Sequence, residues 1–202
     1  MSKWYPFWFV AFVASAFALY WPTLHWTPFS DDHSALWKAG VHGIPWRNGF
    51  FRPLSDLTFR VGFLLWGTAV EGHRAYNVVI HGTNAFLLFL FLVRWMGPRT
   101  AILSASLFLL YPFHQESIVW LVGRESALGT TSTLLGLMII GSGPWNLGRA
   151  MLVLTTLFLG GLCYESALLL APMALLIAWS GTIPGWPPWR RLLMSLLLPT
   201  AI

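Results

Sequence analysis

Charge is what this sequence has least of. Only 9% of its 202 residues are Asp, Glu, Lys or Arg, against about a quarter in a soluble domain. With hydrophobic residues at 56%, that scarcity excludes an ordinary water-soluble globule and points to an integral membrane protein. Cysteine is almost absent too. The single Cys163 excludes an internal disulfide and a cysteine-based zinc site, and it reads as a small apolar residue packed in a helix. No Gly-rich phosphate loop follows a strand pattern, so nucleotide- and dinucleotide-binding enzymes are unsupported. No internal repeat, mirror-image halves or coiled-coil heptads are visible, and nothing suggests a nucleic-acid partner.

What the chain has in quantity is apolar runs and interfacial aromatics. Thirteen Trp and fifteen Phe suit a protein with many anchors at the bilayer surface, where an indole meets lipid with its body and water with its N–H. The run Trp4 to Trp21 is long enough to cross a bilayer. It lacks a small-residue cleavage site and reads as an uncleaved signal anchor with its N-terminus inside. Residues 22–74 carry Asp31, Asp32, Asp56, Glu71 and several histidines, so they are expected to form a long outer loop. Within that loop, Leu57, Val61, Leu64 and Leu65 recur at helical spacing, which predicts a short amphipathic helix lying on the membrane surface.

Six further spans are expected: about Ala75 to Val93, Thr100 to Leu110, Ser126 to Ile140, Ala150 to Leu162, Ala167 to Trp179, and Leu192 to Ile202. The last is shorter than a membrane crossing, as a truncated chain would be. The fold expected is therefore an all-α integral membrane protein, a single polytopic module of about seven transmembrane helices. In this topology Lys3, Arg94, Arg99, Arg149, Arg190 and Arg191 fall on the cytoplasmic side, as the positive-inside rule asks. All seven acidic residues fall opposite: Asp31, Asp32, Asp56, Glu71, Glu116, Glu125 and Glu165. On the second span, His73, Asn77, His81 and Asn84 recur at steps of four, four and three. Such a polar stripe must face other helices or a water-filled cavity.

Several separate turns thus deliver carboxylates to one side of the membrane, together with Arg52, Arg60, Arg74 and Arg124. Arginine can grip a phosphate through paired N–H donors, and a carboxylate can accept the proton of a hydroxyl. Together they describe sugar transfer from a polyprenyl-phosphate donor to an acceptor hydroxyl, with Asp31 or Asp32 as the base. Arg124, then Arg52, are the expected phosphate ligands. A divalent cation held by Asp31, Asp32 and His33 is chemically reasonable, though arginines could neutralise the donor unaided. The alternative is a membrane transporter or assembly subunit whose carboxylates relay protons or bind a partner.

The motifs Asp31-Asp32-His33, Phe51-Arg52-Pro53-Leu54-Ser55 and His73/Asn77/His81/Asn84 occur in this order. Pro112-Phe113-His114-Gln115-Glu116-Ser117-Ile118-Val119-Trp120 follows with Gly123-Arg124, then Glu165 before Ala167-Leu168. This series resembles the membrane half of the tetratricopeptide-repeat-containing transmembrane O-mannosyltransferases and their bacterial relatives. The resemblance implies the type C glycosyltransferase fold, a polyprenyl-phosphate-linked sugar donor, and the acidic pair as catalytic element. The acceptor would be a hydroxyl on protein, glycan or lipid. By that resemblance Glu116, Arg124 and Glu165 line the same cavity; Arg52, His33, Glu125 and His81 complete the expected substrate-binding set, His81 being as well suited to bonding between helices. The site would face the periplasm from a bacterial inner membrane, or the lumen from an endoplasmic reticulum membrane. Tyr164 stands where those relatives usually carry Lys, and their repeat domain is not among these 202 residues.

Overall fold

The computed structural model describes residues 4–41, 51–181, 183 and 186–197. They form an all-α fold of ten α-helices. These are α1 (Tyr5–Tyr20), α2 (Asp32–Val41), α3 (Pro53–Trp66), α4 (Val70–Met96), α5 (Pro98–Leu110), α6 (Gln115–Val119), α7 (Arg124–Gly141), α8 (Leu147–Gly161), α9 (Leu170–Ser180) and α10 (Trp189–Leu197). Prolines set several starts: Pro6, Pro53 and Pro98 occupy first-turn positions, where the missing N–H costs nothing.

The long helix α4 is central, with α1, α5 and α7 packed around it. One core lies between α1, α4 and α5, where Phe12 and Phe89 meet across Ala16, Ala85, Ala101 and Ala105. A second joins the far half of α4 to α7, α8, α9 and α10 through Phe91, Leu137, Ile140, Val153, Leu170 and Leu192. A third, smaller core closes α2 and α3 over the 121–122 turn through Leu36, Phe59 and Leu121.

Seven crossings are not what the helix lengths give. Among the described residues, two helical segments are long and apolar enough to span a bilayer: Tyr5–Thr23 and Val70–Met96. Helix α4 extends beyond the expected 75–93 at both ends, because the sequence from Val70 has no proline until Pro98. The segments Pro98–Leu110, Leu147–Gly161 and Glu165–Ser180 are apolar but shorter. Helix α7 carries the polar run Thr130 to Thr133, and α10 has nine residues. The end of the expected seventh run, 198–202, and loop residues 42–50 lie outside the described residues.

Two features of the helices bear on the membrane. On α3 the apolar stripe points out: Leu57, Val61, Leu64 and Leu65 are all exposed, while Ser55, Asp56, Phe59 and Gly62 are buried. A helix with its polar side packed on protein and its apolar side outward is suited to an interface with acyl chains. The stripe on α4 does the reverse, and all four polar residues are buried. Asn77 donates to the carbonyls of Ile118 and Trp120, Asn84 donates to that of Ala127 and accepts from Thr131, and His81 bonds Leu109 O. These bonds tie α4 to α5, α6 and α7.

Helices α1 and α4 touch at Gly82. A Cβ added there would meet Val13 Cα at 2.7 Å and Val13 N at 3.2 Å, and backbone cannot swing aside as a flexible side chain can. Gly82→Ala is expected to cost about 1–3 kcal/mol by forcing the pair apart. Thermal unfolding in detergent checks this, and a wild-type midpoint would show that the two helices are not held this tightly.

Candidate active site

The turns expected to converge do so at one end of α4, α6 and α7. Asp32 is wholly buried at the start of α2. Its Oδ1 accepts the backbone N–H groups of Leu121 at 2.9 Å and Val122 at 3.3 Å, and its Oδ2 that of Phe29 at 3.4 Å. Burial raises its pKa, against the pull of these N–H groups and of Arg74. The preceding Ser30 holds a left-handed backbone at φ 53°, a conformation that costs a non-glycine residue on the order of 1 kcal/mol. The aspartates therefore diverge: Asp32 is turned inward as an anchor, while Asp31 and His33 are exposed.

The possible cation ligands Asp31, Asp32 and His33 do not converge. Asp32 is occupied by the 121–122 turn, and among the described residues no three His, Cys, Asp or Glu side chains gather as a metal site would require.

Arg124 also differs from expectation. It is completely buried, donating to Asn77 Oδ1 at 2.9 Å and to the carbonyls of Thr58 and His73. Its guanidinium lies over the rings of Phe59 and Tyr76. Burial pushes its pKa down to about 10, so it stays charged, but as an internal tie between α3, α4 and α7 with no face open to a phosphate. His81 is likewise internal, stacked on Phe108.

Arg52, the second of the two expected phosphate ligands, is engaged by two carboxylates. Its Nε and Nη2 grip both oxygens of Glu165, at 3.0 and 2.6 Å, and its Nη1 donates to Glu125 Oε2. Its Cζ stands 4.3 Å from the centre of the Tyr164 ring. Burial opposes the Arg52 charge, but the bonds to Glu165 and Glu125 outweigh it and raise the pKa. The same bond holds the Glu165 carboxyl below its usual range. The bridge is therefore complete above that range and is lost only as pH falls through the lowered value. Glu165 is about half exposed and Glu125 buried, so Glu165 is the partner more easily exchanged.

Two cavities open here. One, about 390 Å³, is lined by Arg52, His114, Glu116, Glu125 and Tyr164 among others. The second, about 630 Å³, is lined by Trp26, Phe29, Ser30, Gln115, Val119 and their neighbours. Glu116 and Trp120 belong to both walls, so a charged chamber adjoins a largely apolar one. Gly123 makes this wall compact: a Cβ there would lie 2.4 Å from the carbonyl oxygen of Glu116. Sequence reasoning left His114 and Trp120 without roles in the site, and neither carries a local signal beyond its place in the Pro112 to Trp120 motif.

No protein-family model matches the sequence, and no solved structure matches it. Several curated proteins do. Protein O-mannosyl-transferase Tmtc1 of Drosophila melanogaster is 31% identical over 124 residues, which is 60% of this chain and 14% of the fly protein. Protein O-mannosyl-transferase TMTC4 of Homo sapiens is 30% identical over 128 residues, 55% of this chain and 17% of that protein. TMTC3 of Mus musculus is 29% identical over 80 residues, 40% of this chain and 9% of that protein. The chain therefore spans only a small part of the length of these relatives. Over part of its own length, it is distantly similar to the TMTC protein O-mannosyl-transferases.

Proposed function

We propose that this chain is the membrane module of a glycosyltransferase that moves a sugar, mannose by analogy with its relatives' names, from a polyprenyl-phosphate donor to an acceptor hydroxyl. The acceptor is carried by a protein, glycan or lipid, and the site faces the periplasm or lumen. The observation that carries this reading is the pair of adjoining cavities. An amphiphilic donor needs an apolar bed for its chain beside a charged chamber for its head, and Glu116 and Trp120 are common to both.

In the reaction the acceptor oxygen attacks the anomeric carbon, its proton passes to a carboxylate, and the bond to the phosphate oxygen breaks with the electron pair leaving on phosphate. Asp31 is the base in this reading, because Asp32 is occupied with three backbone N–H groups while Asp31 stays exposed beside Ser30 of the apolar cavity. Arg52 holds the departing phosphate by exchanging the half-exposed Glu165 for it. No step requires a metal ion.

The test is sugar transfer from a labelled polyprenyl-phosphate mannose in membranes containing the chain, with hydroxyl-bearing acceptors supplied. Transfer above membranes lacking the chain is expected. Arg52→Gln is expected to raise the donor KM about tenfold or more, the loss of a charge-assisted pair of bonds. Transfer no greater than in the control membranes, across protein, glycan and lipid acceptors, would overturn the proposal.

A further inference from the structure

His114 sits in the wall of the charged chamber and has no part in the reaction as drawn above. Its Nδ1 lies 2.8 Å from the carbonyl oxygen of Phe108. A carbonyl can only accept, so the neutral ring carries its proton on Nδ1, and Nε2 keeps its lone pair. The ring is held on three sides, with centroids 4.4 Å from Phe108, 5.2 Å from Tyr111 and 5.3 Å from His81. It has no freedom to turn Nε2 elsewhere without breaking the Phe108 bond. Among the described residues nothing meets Nε2, and it is not sealed from solvent as the indole nitrogen of Trp120 is.

The chemistry around it is that of an acceptor surface. Glu116 and Glu125 line the chamber with Arg52, whose charge is already engaged by Glu125 and by Glu165 beside it. A ligand that fits such a wall presents donors and no additional negative charge at that point, which describes hydroxyl groups. We infer that the part of the chamber wall carrying His114 is a hydroxyl-binding subsite in which His114 Nε2 accepts a hydrogen bond from a sugar or acceptor hydroxyl. This rests on the glycosyl-transfer reading for the identity of the ligand, and on the geometry alone for the accepting nitrogen.

Two substitutions separate this role from packing. In His114→Asn the side-chain amide nitrogen falls near the lost Nδ1 and keeps the bond to Phe108, but nothing replaces Nε2. In His114→Gln the amide reaches the Nε2 position and can present oxygen there, while the Phe108 bond is lost. The expected result is a wild-type unfolding midpoint with kcat/KM down about tenfold for Asn, and a lower midpoint with more of the activity kept for Gln. The opposite ranking, with Asn active and Gln inactive, would overturn the inference and leave His114 a packing residue. A rise in KM for the sugar donor assigns the hydroxyl to the sugar, and a rise for the acceptor assigns it to the acceptor.

A third measurement does not depend on turnover. Diethyl pyrocarbonate should modify His114 of the purified full chain rapidly while sparing the buried His73 and His81, as read by mass spectrometry. His114 spared along with them would sink the inference whatever the transfer assay gives. Rapid modification of His114 in a chain that transfers no sugar would remove the glycosyltransferase reading and leave the accepting nitrogen standing.

Discussion

Arg74→Leu is expected to abolish accumulation of the folded protein. Arg74 is completely buried near the start of α4, and its guanidinium donates to five backbone carbonyls. Nε bonds Val119 O at 2.9 Å, Nη1 bonds Thr23 O, Leu24 O and Trp26 O, and Nη2 bonds Thr27 O at 3.0 Å. One side chain thereby fixes the whole turn that leads from α1 toward Ser30 and the aspartates, and ties it to the end of α6. Removing it strands buried acceptors at about 1–3 kcal/mol each where water cannot reach them. Even with most of the carbonyls rehydrated, a net loss of roughly 3–5 kcal/mol follows, much of the margin of a typical fold. Arg74→Lys keeps a charge but offers three donors from one point instead of a planar fork, so it should fall between. The measurement is fluorescence-detected size exclusion with a thermal ramp in detergent. A Leu variant that elutes as one peak and melts within about 2 °C of wild type would show that the five bonds contribute little.

Arg74 also marks the limit of what the sequence could reveal. Regular spacing was legible: the His73, Asn77, His81, Asn84 series follows from helical periodicity, every member is buried, and Asn77, His81 and Asn84 are bonded across helices. The apolar stripe of α3 was legible for the same reason, and so was its outward direction. Counting crossings was not, because apolar composition does not fix helix length, and the breaks at Gly97-Pro98, at Tyr111-Pro112 and after Gly161 cut several runs short. Roles that depend on long-range pairing were invisible. Nothing near Asp32 says that the N–H groups of Leu121 and Val122 will reach it, and nothing near Arg124 says that Asn77 and Thr58 will enclose it. Two arginines of identical chemistry thus differ in their surroundings. Arg124 is internal, and Arg52 lines the chamber.

The acidic pair gives the second large effect, and it divides by which carboxylate is altered. Asp31 is exposed, and asparagine is close to it in size, so Asp31→Asn should leave the unfolding midpoint unchanged. If Asp31 takes the acceptor's proton, the same change should lower kcat by roughly 10²–10⁴-fold, the usual contribution of a positioned base, with the donor KM little altered. Asp32→Ala should do the opposite. It leaves the N–H groups of Leu121, Val122 and Phe29 without their acceptor, for a stability loss of about 2–4 kcal/mol, and it loosens the wall to which Trp120 and Val122 belong. Asp32→Asn provides the control: its amide oxygen can still accept from Leu121 and Val122, so much of the stability and activity should return even though the charge is gone. A base cannot be replaced in that way, whereas an anchor can. Recovery of transfer by Asn at position 32 but not at position 31 would therefore assign the two roles. Loss at both with intact folding would return Asp32 to the reaction, and full transfer by Asp31→Asn would leave the proton without its proposed acceptor.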